Sequence, residues 1–130
     1  MKKIVAVIVI AVAAASLWHL HSKAIEARRE ATYREALAPF QRDLHAGMTR
    51  EDIRSYLDSK KIRWYPVGAG GAWSYEIKIG EEPSYNPFCE SWTVYVAMDF
   101  ASVGNETPEP DPLPGDTLNA IRIRKVGTCL

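Results

Sequence analysis

From Trp92 to Phe100 the chain alternates without a break: Trp92, Val94, Val96, Met98 and Phe100 fall on one side, Thr93, Tyr95, Ala97 and Asp99 on the other. This period of two, carried by β-branched and aromatic residues, marks a half-buried strand. It lies in the run Cys89–Phe100, the longest and most β-prone of the sequence. That predicts a central strand with the other segments packed on its apolar side.

Further strands flank it. Trp73, Tyr75, Ile77 and Ile79 alternate with Ser74, Glu76 and Lys78, and the expected strand stops at Gly80-Glu81-Glu82-Pro83. Ile62–Val67 is a short extended segment that Pro66 confines to a sheet edge, because proline cannot donate to a ladder. Gly68–Gly71 reads as a turn. Leu118, Ile121, Ile123 and Val126 mark the last strand; their spacing is not strictly alternate, which predicts a bulge near Asn119–Ala120. Arg122 and Arg124 then lie opposite Ile121 and Ile123. Before that strand, Pro108, Pro110, Pro112 and Pro114 recur at every second position, favouring stiff extended backbone with acids between them.

The two cysteines extend the sheet argument. If Thr117–Val126 follows Trp92–Phe100 in an antiparallel meander, Cys89 and Cys129 come to the same edge, where a disulfide is feasible. Such a bridge stabilises by roughly 3–4 kcal/mol in the chain-entropy model and belongs to an oxidising compartment. Two cysteines without further ligands do not complete a zinc site, and they lack the C-x-x-C spacing of a redox pair.

The N-terminus is apolar. Met1-Lys2-Lys3 precedes Ile4–Trp18, in which only Ser16 is polar, and Leu20 extends the run. The segment is near the lower limit for a spanning helix, with Trp18, His19 and His21 at its interface end. An uncleaved anchor is expected; a signal peptide cleaved after Ala13-Ala14-Ala15 is the alternative. Lys2 and Lys3 on one side and Lys23, Arg28, Arg29 and Arg34 on the other leave orientation undecided by charge. With 130 residues the chain has room for one small domain besides. The expected division is 1–21 anchor or signal, 22–38 membrane-proximal helix and 39–130 a small α+β domain.

Ser22–Leu44 is rich in Ala, Glu and Arg, with Tyr33, Leu37, Phe40 and Leu44 on one stripe and Glu30–Arg34 as an i,i+4 pair. Pro39 is expected to kink or break this helix near Ala38. Gly47 suits a left-handed turn, Thr49 caps the next helix with Asp52 three residues on, and Ile53, Tyr56 and Leu57 form its buried side. The result is a tight helix–Gly–helix corner.

The pattern Leu44-x-x-Gly47-Met48-Thr49-x-x-x-Ile53-x-x-x-Leu57 resembles the helical signature of the BamE/SmpA group of small bacterial envelope proteins. The likeness is close over about fourteen residues and extends to 40–130 only in layout. It implies two short helices against a three-stranded antiparallel sheet, a layout shared with β-lactamase inhibitor proteins. The lipobox cysteine of that family is missing here, and the long loops differ.

Charge narrows the partners. A formal net charge of +0 makes nucleic acid an unsuitable main partner. Residues 73–116 nevertheless hold nine acids against Lys78 alone, while 23–63 hold ten bases against seven acids. Glu106, Glu109, Asp111 and Asp116 are the only set that invites a calcium reading, and alternate prolines would hold such a loop open. Glu81 and Glu82 are adjacent and point apart, as solvated turn residues. His45 stands alone, and His19 and His21 share no helical side. Asn105-Glu106-Thr107 is a glycosylation sequon, relevant only in a suitable secretory pathway. No Ser, His and Asp set suggests nucleophilic catalysis, and no small-molecule substrate or cofactor is evident.

Aromatics give the best interaction signal. Trp64, Tyr65, Trp73, Tyr75, Tyr85, Phe88, Trp92 and Tyr95 crowd the sheet half, most of them as core. A sheet covered by helices on one side leaves the other open, and Tyr95, Arg122, Arg124 and Lys78 are expected there. The sequence thus predicts an α+β protein: an N-terminal transmembrane or signal helix, then two helices on a three- to four-stranded antiparallel β-meander, stapled by Cys89–Cys129. The expected place is the bacterial cytoplasmic membrane, single-pass, with the C-terminal domain in the periplasm or outside, or secreted if the N-terminal segment is cleaved. The expected role is non-catalytic, binding or scaffolding another envelope protein. The alternatives are an inhibitor of a periplasmic or secreted hydrolase, contacting it through the acidic 80–116 loops, and a small enzyme of unknown reaction.

Overall fold

The computed structural model describes residues 2–69, 72–84, 86–101 and 116–129. The expectations for Gly70, Gly71, Tyr85, the sequon at Asn105, the alternate prolines, and Glu106, Glu109 and Asp111 lie outside them. The order of elements is α1 (Lys2–Asp43), α2 (Arg50–Ser59), β1 (Tyr65–Ala69), β2 (Ala72–Pro83), β3 (Cys89–Ala101) and β4 (Thr117–Cys129). Two compact units divide the chain, Met1–Arg34 and Glu35–Leu130.

In the first unit α1 is long and apolar enough to cross a membrane, with a mean hydropathy of 2.2 over its most apolar window. Ile4, Val5, Val7, Ile8, Val9, Ile10, Val12, Leu17, Trp18 and Leu20 are all exposed. So continuous an apolar surface is at home in lipid.

The second unit begins inside the same helix. The break expected near Ala38 is absent: α1 runs on through Pro39 to Asp43. An interior proline costs about 3 kcal/mol, through a lost bond to the carbonyl four residues back and crowding against it. Phe40 and Leu44 follow immediately and are buried at 8% and 3% exposure. Two such side chains contribute roughly 1.5–3 kcal/mol each, enough to hold the last turn. Among the described residues there are therefore two helices, not three.

The corner then turns the chain. Gly47 has φ +92°, a conformation that glycine adopts without a steric penalty. Thr49 caps α2 reciprocally: its Oγ1 accepts the Asp52 N–H at 3.1 Å, and its own N–H donates to Asp52 Oδ2 at 3.1 Å. The helix ends in a Schellman turn. The Ile62 N–H reaches the Leu57 carbonyl and the Lys61 N–H that of Asp58, with Lys61 itself left-handed at φ +56°.

The sheet is a four-stranded antiparallel meander in the order β1-β2-β3-β4. The alternating stretch is β3, one of two inner strands paired on both sides, and the proline-bearing β1 is an edge. Asp99 pairs with Ala120 and Phe100 with Leu118, so Asn119 is the bulge the uneven spacing predicted. β2 differs from expectation. It does not stop at Gly80 but continues to Pro83 after a second irregularity that skips Ile79. The skip exchanges the sides that Glu81 and Glu82 take, so that Glu81 shares the side of Lys78 and pairs with it, and Glu82 pairs with Lys125 at 3.0 Å. Ion pairs across the extension, not a solvated turn, occupy this segment.

One buried cluster joins helical and sheet residues: Phe40, Leu44, Ile53 and Leu57 with Tyr75, Ile77, Val96, Met98, Phe100 and Leu118. Trp64, Tyr75 and Phe100 stack in series, with ring centroids 4.4 and 4.9 Å apart. Each edge strand also carries a glycine under a tryptophan. Gly68 lies opposite Trp73 and Gly127 opposite Trp92, and a Cβ at either would meet the ring at 3.1–3.3 Å.

Candidate functional site

Register assembles the four residues expected on the open face. Lys78, Tyr95 and Arg124 form one row across β2, β3 and β4, and Glu76, Ala97 and Arg122 form the next. Alternation sends these side chains away from the cluster that holds Ile77, Val96 and Ile123. The rows are tightly knit. Arg124 donates to Glu76, to Asp99 and, at 3.1 Å, to Ser74 Oγ. Arg122 reaches the other oxygen of Asp99 at 2.6 Å. Ala97 and Glu76 are buried beneath this network at 0% and 5% exposure.

The charges therefore serve each other. Arg124 is largely enclosed, its side chain 27% exposed, whereas Arg122 remains 62% exposed. Lys78 is held by Glu81, and that bond raises its pKa. Next to the arginines a concavity of about 430 Å³ is lined by Val67, Ala72, Ser74, Asp99, Asn119, Arg122 and Arg124. It offers one accessible guanidinium, one shared carboxylate and a small apolar floor. Every ionised group on it has an ionised partner.

Cys89 and Cys129 face each other at the far end of β3 and β4, bonded at 1.97 Å. The bridge lies against Gly127 and so beside Trp92, on the helix-facing side. Among the described residues, no group of three His, Cys, Asp or Glu side chains is placed to hold a metal ion. Asp116, considered with the loop acids as a calcium ligand, is buried at 1% exposure and bound to Arg50.

That pair is what sequence reasoning missed. Arg50 Nη1 meets Asp116 Oδ2 at 2.7 Å, with both side chains essentially without solvent exposure. The guanidinium carbon also lies 5.2–5.5 Å from the ring centroids of Trp73, Tyr75 and Phe100. Among the described residues, Arg50 Nε and Nη2 and Asp116 Oδ1 have no hydrogen-bond partner. The surrounding rings supply cation–π attraction in their place. Backbone bonds reinforce the junction. The Arg50 N–H reaches the Asp116 carbonyl at 3.3 Å, and Leu118 exchanges bonds with Met48 and Gly47 at 2.7 and 2.9 Å. In the sequence Arg50 stands beside Glu51 and Asp52 in a polar first turn, which gives no signal of burial.

No protein-family model, curated protein or solved structure matches the chain.

Proposed function

We propose that this chain is a membrane-anchored, non-catalytic envelope protein whose Glu35–Leu130 unit binds another envelope protein. One observation carries the reading: the row Lys78–Tyr95–Arg124, with exposed Arg122 and the adjoining concavity, on the side of the sheet away from the buried cluster. Tyrosine and arginine are common anchors of protein interfaces. The apolar surface of α1 supports membrane attachment, and the Cys89–Cys129 pair supports an oxidising compartment outside the cytoplasmic membrane. The end of α1 and α2 contribute Phe40, Leu44, Ile53 and Leu57 to one cluster with sheet residues, which supports a layout like that of the BamE/SmpA group.

Site-specific photocrosslinking in cells tests the reading. Crosslinkers at Tyr95 and Arg122 should each yield the same defined adduct in the membrane fraction, and one at exposed Arg63, outside the sheet, should not. Adducts at none of the sheet positions, or turnover of a hydrolase substrate by the purified chain, would refute it.

A further inference from the structure

Among the described residues, β4 is an edge strand whose outer side is paired at its beginning. There Leu118 exchanges backbone bonds with Gly47 and Met48, and Thr49 bridges Thr117 antiparallel. The corner thus lays down the first rung of a fifth strand. Beyond it β4 runs on to Cys129 with no strand on its outer side among the described residues. Where that fifth strand would continue, a groove of about 240 Å³ opens beside β4, its apolar lining drawn from Leu44, Ala46, Leu118, Ala120 and Ile121.

We propose that this edge accepts an extended segment of a partner protein as an added strand. The incoming segment alternates apolar side chains, directed toward Ile121 and Ile123, with acidic ones on the opposite side, where Arg122 is exposed. Resting on the protein-binding reading above, the proposal assigns its partner a chemistry. Backbone pairing supplies affinity in such strand addition, and alternate side chains supply specificity.

The charges select the occupant. Edge strands commonly carry cations that prevent self-association. A two-fold antiparallel pairing of two copies, centred anywhere from residue 122 to 124, sets Arg122 against Arg122, Arg122 against Arg124, or Arg124 against Arg124. Like charges directly opposite destabilise a pair of strands, so a second copy is disfavoured. A carboxylate is favoured instead, because Arg122, bonded through Nε to the Asp99 it shares with Arg124, is 62% exposed.

The test uses the full chain in detergent micelles and a short fluorescent peptide alternating Val and Glu. Binding should slow hydrogen exchange at alternate amides of residues 120–124. Replacing Glu by Lys in the peptide, or Arg122→Glu in the protein, should weaken it by about tenfold, and the Lys peptide should regain affinity for the Arg122→Glu variant. Methylating every second backbone nitrogen of the peptide should abolish binding in one phase and spare it in the other, since only one edge of an added strand pairs. Equal binding of the two methylated peptides, equal binding of Glu and Lys peptides, or no binding overturns the edge proposal. Crosslinking at Tyr95 separates the two levels. A partner captured there, with a silent peptide, leaves the binding module standing and removes the edge; no partner and no peptide binding removes both.

Discussion

The buried Arg50–Asp116 pair makes the most exacting prediction. Arg50→Met keeps an unbranched, largely apolar stem but removes the guanidinium that lies near the Trp73, Tyr75 and Phe100 rings and bonds Asp116. Asp116 then remains at 1% exposure with its direct partner gone. Breaking a buried pair from one side costs about 3–5 kcal/mol, because the surviving charge is stranded without solvent. For a domain of this size each kcal/mol moves the midpoint by about 4–8 °C, so Tm should fall by about 12 °C or more. Circular dichroism of the full chain in detergent measures it, with the sheet signal as the probe. The double variant Arg50→Met/Asp116→Leu should recover most of the loss, since an apolar replacement of both partners is commonly near neutral. The cycle then yields a coupling energy of about 2 kcal/mol or more. A single variant within about 1 kcal/mol of the parent, or a double variant as unstable as the single, would falsify the claim that these charges depend on each other. The pair joins α2 to the residue immediately before β4, so local exchange at Thr117 and Leu118 should rise in the single variant as well.

Four further outcomes follow from the geometry. Thiol labelling of intact cells should find Cys89 and Cys129 unreactive until reductant is added, and Cys89→Ser/Cys129→Ser should lower stability by about 3–4 kcal/mol for the loop the bridge closes; free reactivity before reduction would argue against both the bridge and the compartment. Gly127→Ala places a Cβ 3.0 Å from Cys129 Sγ and 3.1 Å from the Trp92 ring, and should destabilise by about 1–3 kcal/mol as an overpacked site. Lys61→Gly should stabilise by about 1 kcal/mol, because Lys61 holds φ +56° at a helix C-terminus where glycine is unstrained; unchanged urea midpoints would count against it. The Thr49 hydroxyl, and then its N–H, hold the Asp52 carboxyl below its usual pKa. A lowered folded pKa stabilises fully above the unfolded value of about 3.9 and fades as pH falls through the folded value. The stability gap between the parent and Asp52→Ala should therefore be widest above about pH 4 and close on further acidification.

Where one local rule acted alone, the sequence was readable. The alternation of Trp92–Phe100 became an inner strand, Pro66 an edge, and the uneven spacing after Leu118 a bulge at Asn119. The misreadings arose where tertiary contacts overrode a local preference. Pro39 predicts a break by its own chemistry, and only the burial of Phe40 and Leu44 one and five residues later explains why the helix survives. Gly80-Glu81-Glu82-Pro83 has the composition of a turn, but the skipped Ile79 swings each glutamate toward a lysine and the strand continues. Arg50 was hidden for a different reason: its burial depends on Asp116, sixty-six positions away in the chain. No local window contains that pair.

The same network bears on how this protein would meet a partner. Tyr95, Arg122, Arg124 and Lys78 were chosen as contact residues because they share one side of the sheet, and three of them are already bound within it. An enclosed guanidinium such as Arg124 has exchanged water for Glu76 and Asp99, so a partner gains little by approaching it and would have to displace a paired carboxylate. Its role is to neutralise Glu76 and Asp99 and keep the face flat over Ala97. Arg122 is different: it stands at the margin, more exposed, on the strand that has no strand on its outer side among the described residues. In the proposed strand addition, selectivity would lie at the β4 border rather than the centre of the face, because backbone groups and a charge can be engaged together there. The Arg50–Asp116 junction and the Gly47–Leu118 bonds fix the start of that border against the helical corner, giving an incoming strand a defined place to begin.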